Sequence, residues 1–155
     1  MTRRIVLLLA LLACASLAQD KPLTRFAVIA DVQYADKDTA GARDYRASVG
    51  KLERAAAQIN QIEPAFAIQL GDLIDEGDAN MDRILASYGR IGTRRYHVVG
   101  NHDAASVERR ELLKRWGLSN SYYEFAEAGW RFIALDGTDL SAMGGWPRAS
   151  EHFTL

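Results

Sequence analysis

Phe26-Ala27-Val28-Ile29-Ala30-Asp31-Val32-Gln33, Ala65-Phe66-Ala67-Ile68-Gln69-Leu70-Gly71-Asp72 and Tyr96-His97-Val98-Val99-Gly100-Asn101-His102-Asp103 follow one pattern, a short apolar run that ends at once in polar residues. Each run is rich in β-branched or aromatic residues, the composition of a buried parallel strand. The stretches between them are helical. Residues 45–62 set Val49, Leu52, Ala56 and Ile59 about one turn apart, and Pro64 follows the end. A second helix starts with Asn80 as its cap and carries Met81, Ile84, Leu85 and Tyr88 on one side, with Gly89 and Gly92 closing it. A third spans residues 107–116 and stops at Gly117. Residues 122–125 and 130–136 then read as two strands turned around Ala128-Gly129. The order βαβαβα followed by two strands predicts an α/β fold with a mostly parallel sheet and right-handed crossovers. Open sheets of this kind bind ligands at the carboxyl ends of their strands. Asp31, Asp72 and Asn101, far apart in sequence, are therefore expected to meet at one sheet edge.

The rest of the chain narrows the possibilities. A length of 155 residues allows one domain, and 48% apolar with 25% charged residues is the balance of an ordinary globular protein. Met1-Thr2-Arg3-Arg4 and the apolar stretch over residues 5–13 form an export leader, too short for a span of about 20 residues, with Ser16-Leu17-Ala18 as the cleavage site. Residues 1–18 are thus expected to be removed and the protein to be periplasmic or extracellular. Leu11-Leu12-Ala13-Cys14 also resembles a lipobox, so anchoring through Cys14 stays open. Cys14 is the sole cysteine, which excludes a disulfide framework and a zinc finger in the mature chain. Cleavage removes Arg3 and Arg4 and leaves 17 basic against 20 acidic residues, a net of −3. No basic stripe for nucleic acid, internal repeat or Pro/Gly-rich linker is visible. The sequence leaves the oligomeric state open.

Chemistry follows from what the motifs donate. Asp31 and Asp72 are hard anionic oxygen donors, while Gln33 and Asn101 offer amide oxygens, a set suited to Mn²⁺, Mg²⁺ or Fe²⁺. Asp72 is placed to bridge two ions about 3.5–4 Å apart, the spacing of two-metal sites. His102 is the candidate proton donor or charge partner of a leaving group, with Asp103 orienting its imidazole. Gly71 and Gly100 would let the backbone turn sharply so that Asp72 and Asn101 face the ions. Taken singly, Asp31 and Asp72 read more readily as loop acids or helix caps than as ligands, and it is their convergence that favours a metal role. Arg43, Tyr45 and Arg46 are candidates for substrate contact, although surface ion pairs explain the arginines as well. His97 reads as a structural strand residue with a hydrogen-bonded ring. Glu108-Arg109-Arg110-Glu111 reads as a solvated helix face, and Trp116, Trp130 and Trp146 as packing residues.

These motifs resemble those of the calcineurin-like metallophosphoesterases, whose pattern runs Asp-x-His, Gly-Asp, Gly-Asn-His-(Asp/Glu), a later single histidine and Gly-His-x-His. Residues 29–36, Tyr45-Arg46 with Ser48, residues 69–75 and residues 132–137 are similar to the manganese-dependent ADP-ribose/CDP-alcohol diphosphatases, in which glutamine replaces the histidine of Asp-x-His. The resemblance covers residues 25–140. It implies the N-terminal half of an αββα sandwich, with Asp31 and Gln33 on a first metal, Asp72 bridging, Asn101 on a second and His102 acting on phosphate. The ions implied are two divalent metals, Mn²⁺ or Fe²⁺, with Zn²⁺ as an alternative. The implied reaction is hydrolysis of a phosphoester or diphosphate bond in a small phosphorylated or nucleotide substrate. The family's second sheet, single histidine and Gly-His-x-His have no counterpart here. The histidines are His97, His102 and His152, the last in the polar tail over residues 141–155. The chain therefore reads as a truncated record that exposes one apolar sheet face, or as a catalytically incomplete remnant without activity of its own.

Overall fold

A computed structural model describes residues 24–138. The leader, Cys14, Trp146, His152 and the 141–155 tail lie outside the described residues. Strand β1 is Ala27–Ile29, β2 is Phe66–Gln69 and β3 is Arg94–His97. They form a parallel sheet in the order β1-β2-β3, with Ala27 beside Ala67 and Gln69 beside His97. The third strand begins two residues before the apolar run suggests. Arg94 and Arg95 are exposed, so their polarity hides a stretch that the register with Phe66 and Ala67 nonetheless holds in the sheet. Val98 then donates its N–H to the Gln69 carbonyl (2.9 Å), leading the chain out toward Gly100.

Helix α1, Ala47–Ile62, buries Val49, Leu52, Ala56 and Ile59 as one stripe, and Glu63 ends it in the left-handed conformation (φ 49°) just before Pro64. Helix α2 is Ala79–Tyr88, which puts Asn80 inside the first turn rather than at the cap. Its side chain bonds outward instead, from Nδ2 to the Glu76 carbonyl (2.8 Å) and from the Asp36 N–H to Oδ1 (3.2 Å). The expected third helix is two. Helix α3, Asn101–Ser106, begins inside the Gly-Asn-His-Asp motif, and buried Val107 in extended conformation separates it from α4, Arg109–Trp116. Glu108 caps α4 by accepting the Glu111 N–H, and Gly117 (φ 69°) closes it. Half of the supposed solvated face is thus a cap and an ion pair, Glu111 to Arg115 at 3.1 Å.

Strands β4 (Tyr123–Glu127) and β5 (Trp130–Ala134) form a hairpin whose two loop residues, Ala128 and Gly129, both have positive φ. That conformation matches the twist of a tight two-residue hairpin. Two layers enclose the parallel sheet. On the helical side, Val49, Leu52, Met81, Ile84 and Tyr88 pack with Ala67, Leu73, Ile74, Leu112 and Trp116. On the other, Phe125 stacks on Tyr96 (3.6 Å) and Phe132 meets the Phe66 ring edge-on (4.8 Å), so the hairpin covers the aromatic face. Trp116 is buried and stacked on His97 at 4.8 Å, whereas Trp130 is half exposed and is no core residue. Val28, Ile133 and Leu135 stand exposed at 51%, 68% and 69%. No helix among the described residues is long and apolar enough to cross a membrane.

Candidate active site

The loops that leave β1 and β2 are sewn together by their backbones, and the loop after β3 joins them through the Asp72 and Asp103 side chains. Asp31 and Gln33 donate N–H groups to the carbonyls of Gly71 (3.3 Å) and Asp72 (2.8 Å), and Tyr34 to that of Leu73 (3.0 Å). Asp31, Gln33 and Asp72 all sit in the left-handed region, at φ 53°, 47° and 56°. For residues with a Cβ this costs about 1 kcal/mol or more each, a strain that functional loops tolerate when their surroundings fix them. The glycines allow close approach. A Cβ on Gly71 would lie 2.6 Å from the Gly100 Cα, and one on Gly100 would lie 2.1 Å from Asp72 Oδ1. Gly71, at φ 106°, also supplies the expected sharp turn, but Gly100 is extended (φ −99°) and serves contact alone.

Asp72 and His102 meet at the first turn of α3, which also carries Asn101. The His102 N–H, in the helix's first turn, donates to Asp72 Oδ1 at 3.0 Å and fixes that carboxylate. The remaining polar atoms correct one assignment. Asp103 does not orient the His102 ring. Its carboxylate is fully buried and accepts three backbone N–H groups, from Asp72 (2.9 Å) and Gly100 (3.2 Å) on Oδ2 and from Ile74 (3.3 Å) on Oδ1. At the N3 position of a helix a short acid reaches back to the backbone more readily than sideways to a neighbouring ring. Burial pushes the Asp103 carboxyl up to about 7, with the Asp72 charge adding to it and the three amides opposing it.

Asp75 takes the role that the sequence suggested for Asp103. Its backbone carbonyl lies 2.8 Å from His102 Nδ1, and its Oδ1 lies 3.7 Å from the same atom. A carbonyl only accepts, so Nδ1 carries the proton. Asp75 also ties the loops together, taking Lys37 Nζ at 2.5 Å and Arg43 at 3.2 Å, while Lys37 lies 4.2 Å above the Tyr45 ring. Lys37 and Asp75 escaped the sequence reading, although Asp75 stands three residues after Asp72 in Gly71-Asp72-Leu73-Ile74-Asp75-Glu76-Gly77.

Of the three substrate candidates, Arg46 is engaged by Asp36 (2.6 Å) and Asp38 (2.7 Å), as the surface-pair reading allows. Arg43 and Tyr45 line an open pocket of about 370 Å³ together with Asp31 and Gln33. Asp72, Asn101 and His102 lie outside its lining. His97 is buried away from the loops, beside Gln69 (3.3 Å), and burial with the nearby Arg95 charge lowers it to about 4.

The chemistry of the donors is a test of their fitness for metal. Asp31, Gln33, Asp72 and Asn101 provide two carboxylates and two amide oxygens, all hard ligands suited to Mn²⁺, Mg²⁺ or Fe²⁺. Yet among the described residues no group of three or more His, Cys, Asp or Glu side chains is arranged to hold an ion. The set fits divalent cations in kind and supplies part of their shells.

Comparison with known proteins agrees with this geometry. The sequence pattern described as Calcineurin-like phosphoesterase matches residues 24–153. A protein of Arabidopsis thaliana named manganese-dependent ADP-ribose/CDP-alcohol diphosphatase is 36% identical, the match covering 84% of this chain and 47% of the relative. Its namesake in Oryza sativa subsp. japonica is 35% identical over 83% of this chain and 45% of its own. The crystal structure of a dimetal phosphatase from Danio rerio superposes with a TM-score of 0.70 at 32% identity, covering 80% of this chain and 47% of that one. The chain spans about half the length of the curated relatives it matches.

Proposed function

The chain belongs to the calcineurin-like phosphoesterase family, and on that premise we propose that it carries the catalytic loops of a metal-dependent hydrolase acting on phosphoester or diphosphate bonds. One observation carries the reading: Asp31, Gln33, Asp72 and the Gly100-Asn101-His102 turn converge at the carboxyl edge of the sheet, with three non-glycine residues in left-handed conformation there. Asp31 and Gln33 would hold one divalent ion, Asp72 would bridge, and Asn101 would hold the second. Two such ions, Mn²⁺ or Fe²⁺ with Zn²⁺ as the alternative, supply a hydroxide nucleophile and neutralise phosphoryl oxygens.

The chain's own residues account for the rest. The α3 N–H on Asp72 Oδ1 holds that carboxylate in place before any ligand arrives. His102, its Nδ1 directed at the Asp75 carbonyl, presents Nε2 to a phosphoryl or leaving-group oxygen and, when protonated, donates to it. Arg43 stands at the rim of the pocket beside Asp31 and Gln33, where a guanidinium favours an anionic substrate. The names of the relatives favour nucleotide-type diphosphates such as ADP-ribose or a CDP-alcohol. The leader over residues 1–18 supports export, tested by the N-terminal mass of the protein recovered from the periplasm or medium.

The partial ligand set favours a second reading, in which the isolated chain binds one ion and turns nothing over. The test is hydrolysis of ADP-ribose and of bis(p-nitrophenyl) phosphate by the purified chain with added Mn²⁺, alongside Asp72→Asn. Metal-dependent turnover abolished by Asp72→Asn supports the hydrolase. No turnover, with Mn²⁺ binding that Asp72→Asn weakens, supports the one-ion reading. Binding and turnover indifferent to Asp72 exclude both.

A further inference from the structure

We propose that the pocket between β3 and the carboxyl ends of α2 and α4 binds a small oxyanion, a carboxylate or a phosphate, through Arg95, His97 and Trp116. All three residues line this pocket of about 300 Å³, a size at the lower end of small-molecule sites. Asp31, Gln33, Asp72, Asn101 and His102 lie outside its lining, so the site is separate from the metal loops and does not rest on the hydrolase reading.

Trp116 is 7% exposed, and its indole N–H is buried with no acceptor among the described residues. An indole nitrogen only donates, and nearly all buried donors are paired, so this one points to an acceptor from outside the described chain. The indole lies flat against the His97 ring, 4.8 Å between centroids and 15° between planes, which sets a second donor beside the first. The His97 tautomer follows from Gln69. Its Oε1 accepts the Gly71 N–H (2.6 Å), so its amide nitrogen is the donor to the Val98 carbonyl (3.0 Å) and to His97 Nδ1 (3.3 Å). A neutral ring that accepts at Nδ1 carries its proton on Nε2, and no described residue accepts that proton. Arg95 is exposed and places Nη1 on the carbonyls of Ile91 (2.5 Å) and Thr93 (3.3 Å), with no carboxylate partner among the described residues. Its charge lies close enough to His97 to help hold that ring neutral. The other polar groups of the lining are engaged. Arg94 is paired with Glu127 (3.0 Å), Arg115 with Asp78 (2.5 Å) and Glu111 (3.1 Å), and the Tyr88 hydroxyl donates to the Tyr96 carbonyl (3.0 Å). No Asp or Glu stands among the described lining residues. Two neutral N–H donors and a guanidinium, with no acid to balance them, select a compact anion with oxygen acceptors.

The test is a ¹H–¹⁵N spectrum of the full chain near pH 7, in EDTA to strip metal from the catalytic loops, titrated with sodium phosphate, sodium acetate and, at matched ionic strength, sodium chloride. Trp130→Phe and Trp146→Phe assign the Trp116 indole signal by elimination and leave the pocket untouched. Expected is a saturable downfield shift of that signal with an oxyanion and none with chloride, the affinity about tenfold weaker in Arg95→Gln and unchanged in the surface control Arg131→Gln. A response to phosphate alone supports the site and makes its ligand a phosphate, a response to acetate alone makes it a carboxylate, and a response to both supports a general oxyanion site. A Trp116 signal that neither oxyanion moves, that chloride moves as far, or that titrates alike in the parent and Arg95→Gln overturns the proposal. Turnover plays no part in the readout, so a chain that hydrolyses nothing can keep this site and an active one can lose it.

Discussion

Removing the Asp103 carboxylate should unfold the site before it touches the chemistry. The side chain is fully buried and accepts the N–H groups of Asp72, Gly100 and Ile74. Asp103→Ala leaves all three donors without an acceptor in a place where water enters poorly. At roughly 1–3 kcal/mol per orphaned buried donor, with partial relaxation, the loss is about 3–5 kcal/mol. A domain with about 5–15 kcal/mol to lose is brought near its limit by that change. Asp103→Asn is milder. Its one oxygen, placed at the Oδ2 position, keeps Asp72 and Gly100 and turns an NH₂ toward the Ile74 N–H, a cost of about 1–2 kcal/mol. Urea unfolding followed by tryptophan fluorescence should therefore rank parent, Asn and Ala in that order, with unchanged slope between parent and Asn. If instead Asp103 served to orient His102, both variants would melt with the parent and differ only in hydrolysis. Coincident midpoints for parent and Asp103→Ala would refute the clamp.

Gly100→Ala places a Cβ 2.1 Å from Asp72 Oδ1 and should not accumulate as folded protein, whereas Gly129→Ala meets nothing within 4 Å and should cost only about 1 kcal/mol for its φ of 83°; soluble yield and thermal melts distinguish them. His97 has a folded pKa lowered to about 4 from an unfolded 6.5, so the folded state disfavours the proton. The stability it contributes is complete above pH 6.5 and is lost as pH falls toward 4, about 3 kcal/mol in all; urea midpoints across that range should flatten in His97→Gln relative to the parent. Asp75→Asn removes the ion pairs to Lys37 and Arg43 but keeps the carbonyl that faces His102 Nδ1, so imidazole ¹⁵N shifts should still report the Nδ1–H tautomer. Gln33→Gly should be about 1 kcal/mol more stable than Gln33→Ala, because only glycine occupies φ 47° without strain; denaturation midpoints settle the order.

The central strand was legible because it is buried along the run that the sequence displays. Phe66 and Ala67 lie between two neighbours and read as a continuous apolar run, so β2 is placed within a residue at each end. Strand β3 shows the limit. It lies at the edge of the three-stranded sheet, where Arg94 and Arg95 satisfy the backbone ladder while their side chains face water, and hydropathy cannot see a ladder. Helix α3 was hidden for a related reason. Its six residues are too few for a hydrophobic period, and its start at Asn101 is set by Asp103 reaching back to the Gly100 N–H, a contact with no reach in composition.

For the site, sequence shows which side chains are available but not which way a buried acid turns. Asp72, Asp75 and Asp103 stand among the same turns, and all three have the chemistry to pair with His102. Their division of labour comes from packing. Asp103 is enclosed by the amides of Asp72, Ile74 and Gly100, while Asp75 stands where Lys37 and Arg43 can reach it. The backbone adds an argument that no motif contains. Of the five non-glycine residues at positive φ among the described residues, Glu63 closes a helix and Ala128 turns a hairpin, both ordinary places for that conformation. The other three are Asp31, Gln33 and Asp72. Glycine would relieve each by about 1 kcal/mol, and of the three only Asp72, which accepts the His102 N–H, has a side-chain hydrogen bond among the described residues to set against that cost. Side chains held at that cost, with their loops stitched to one another by backbone hydrogen bonds, are better explained by what their oxygens bind than by the fold they strain.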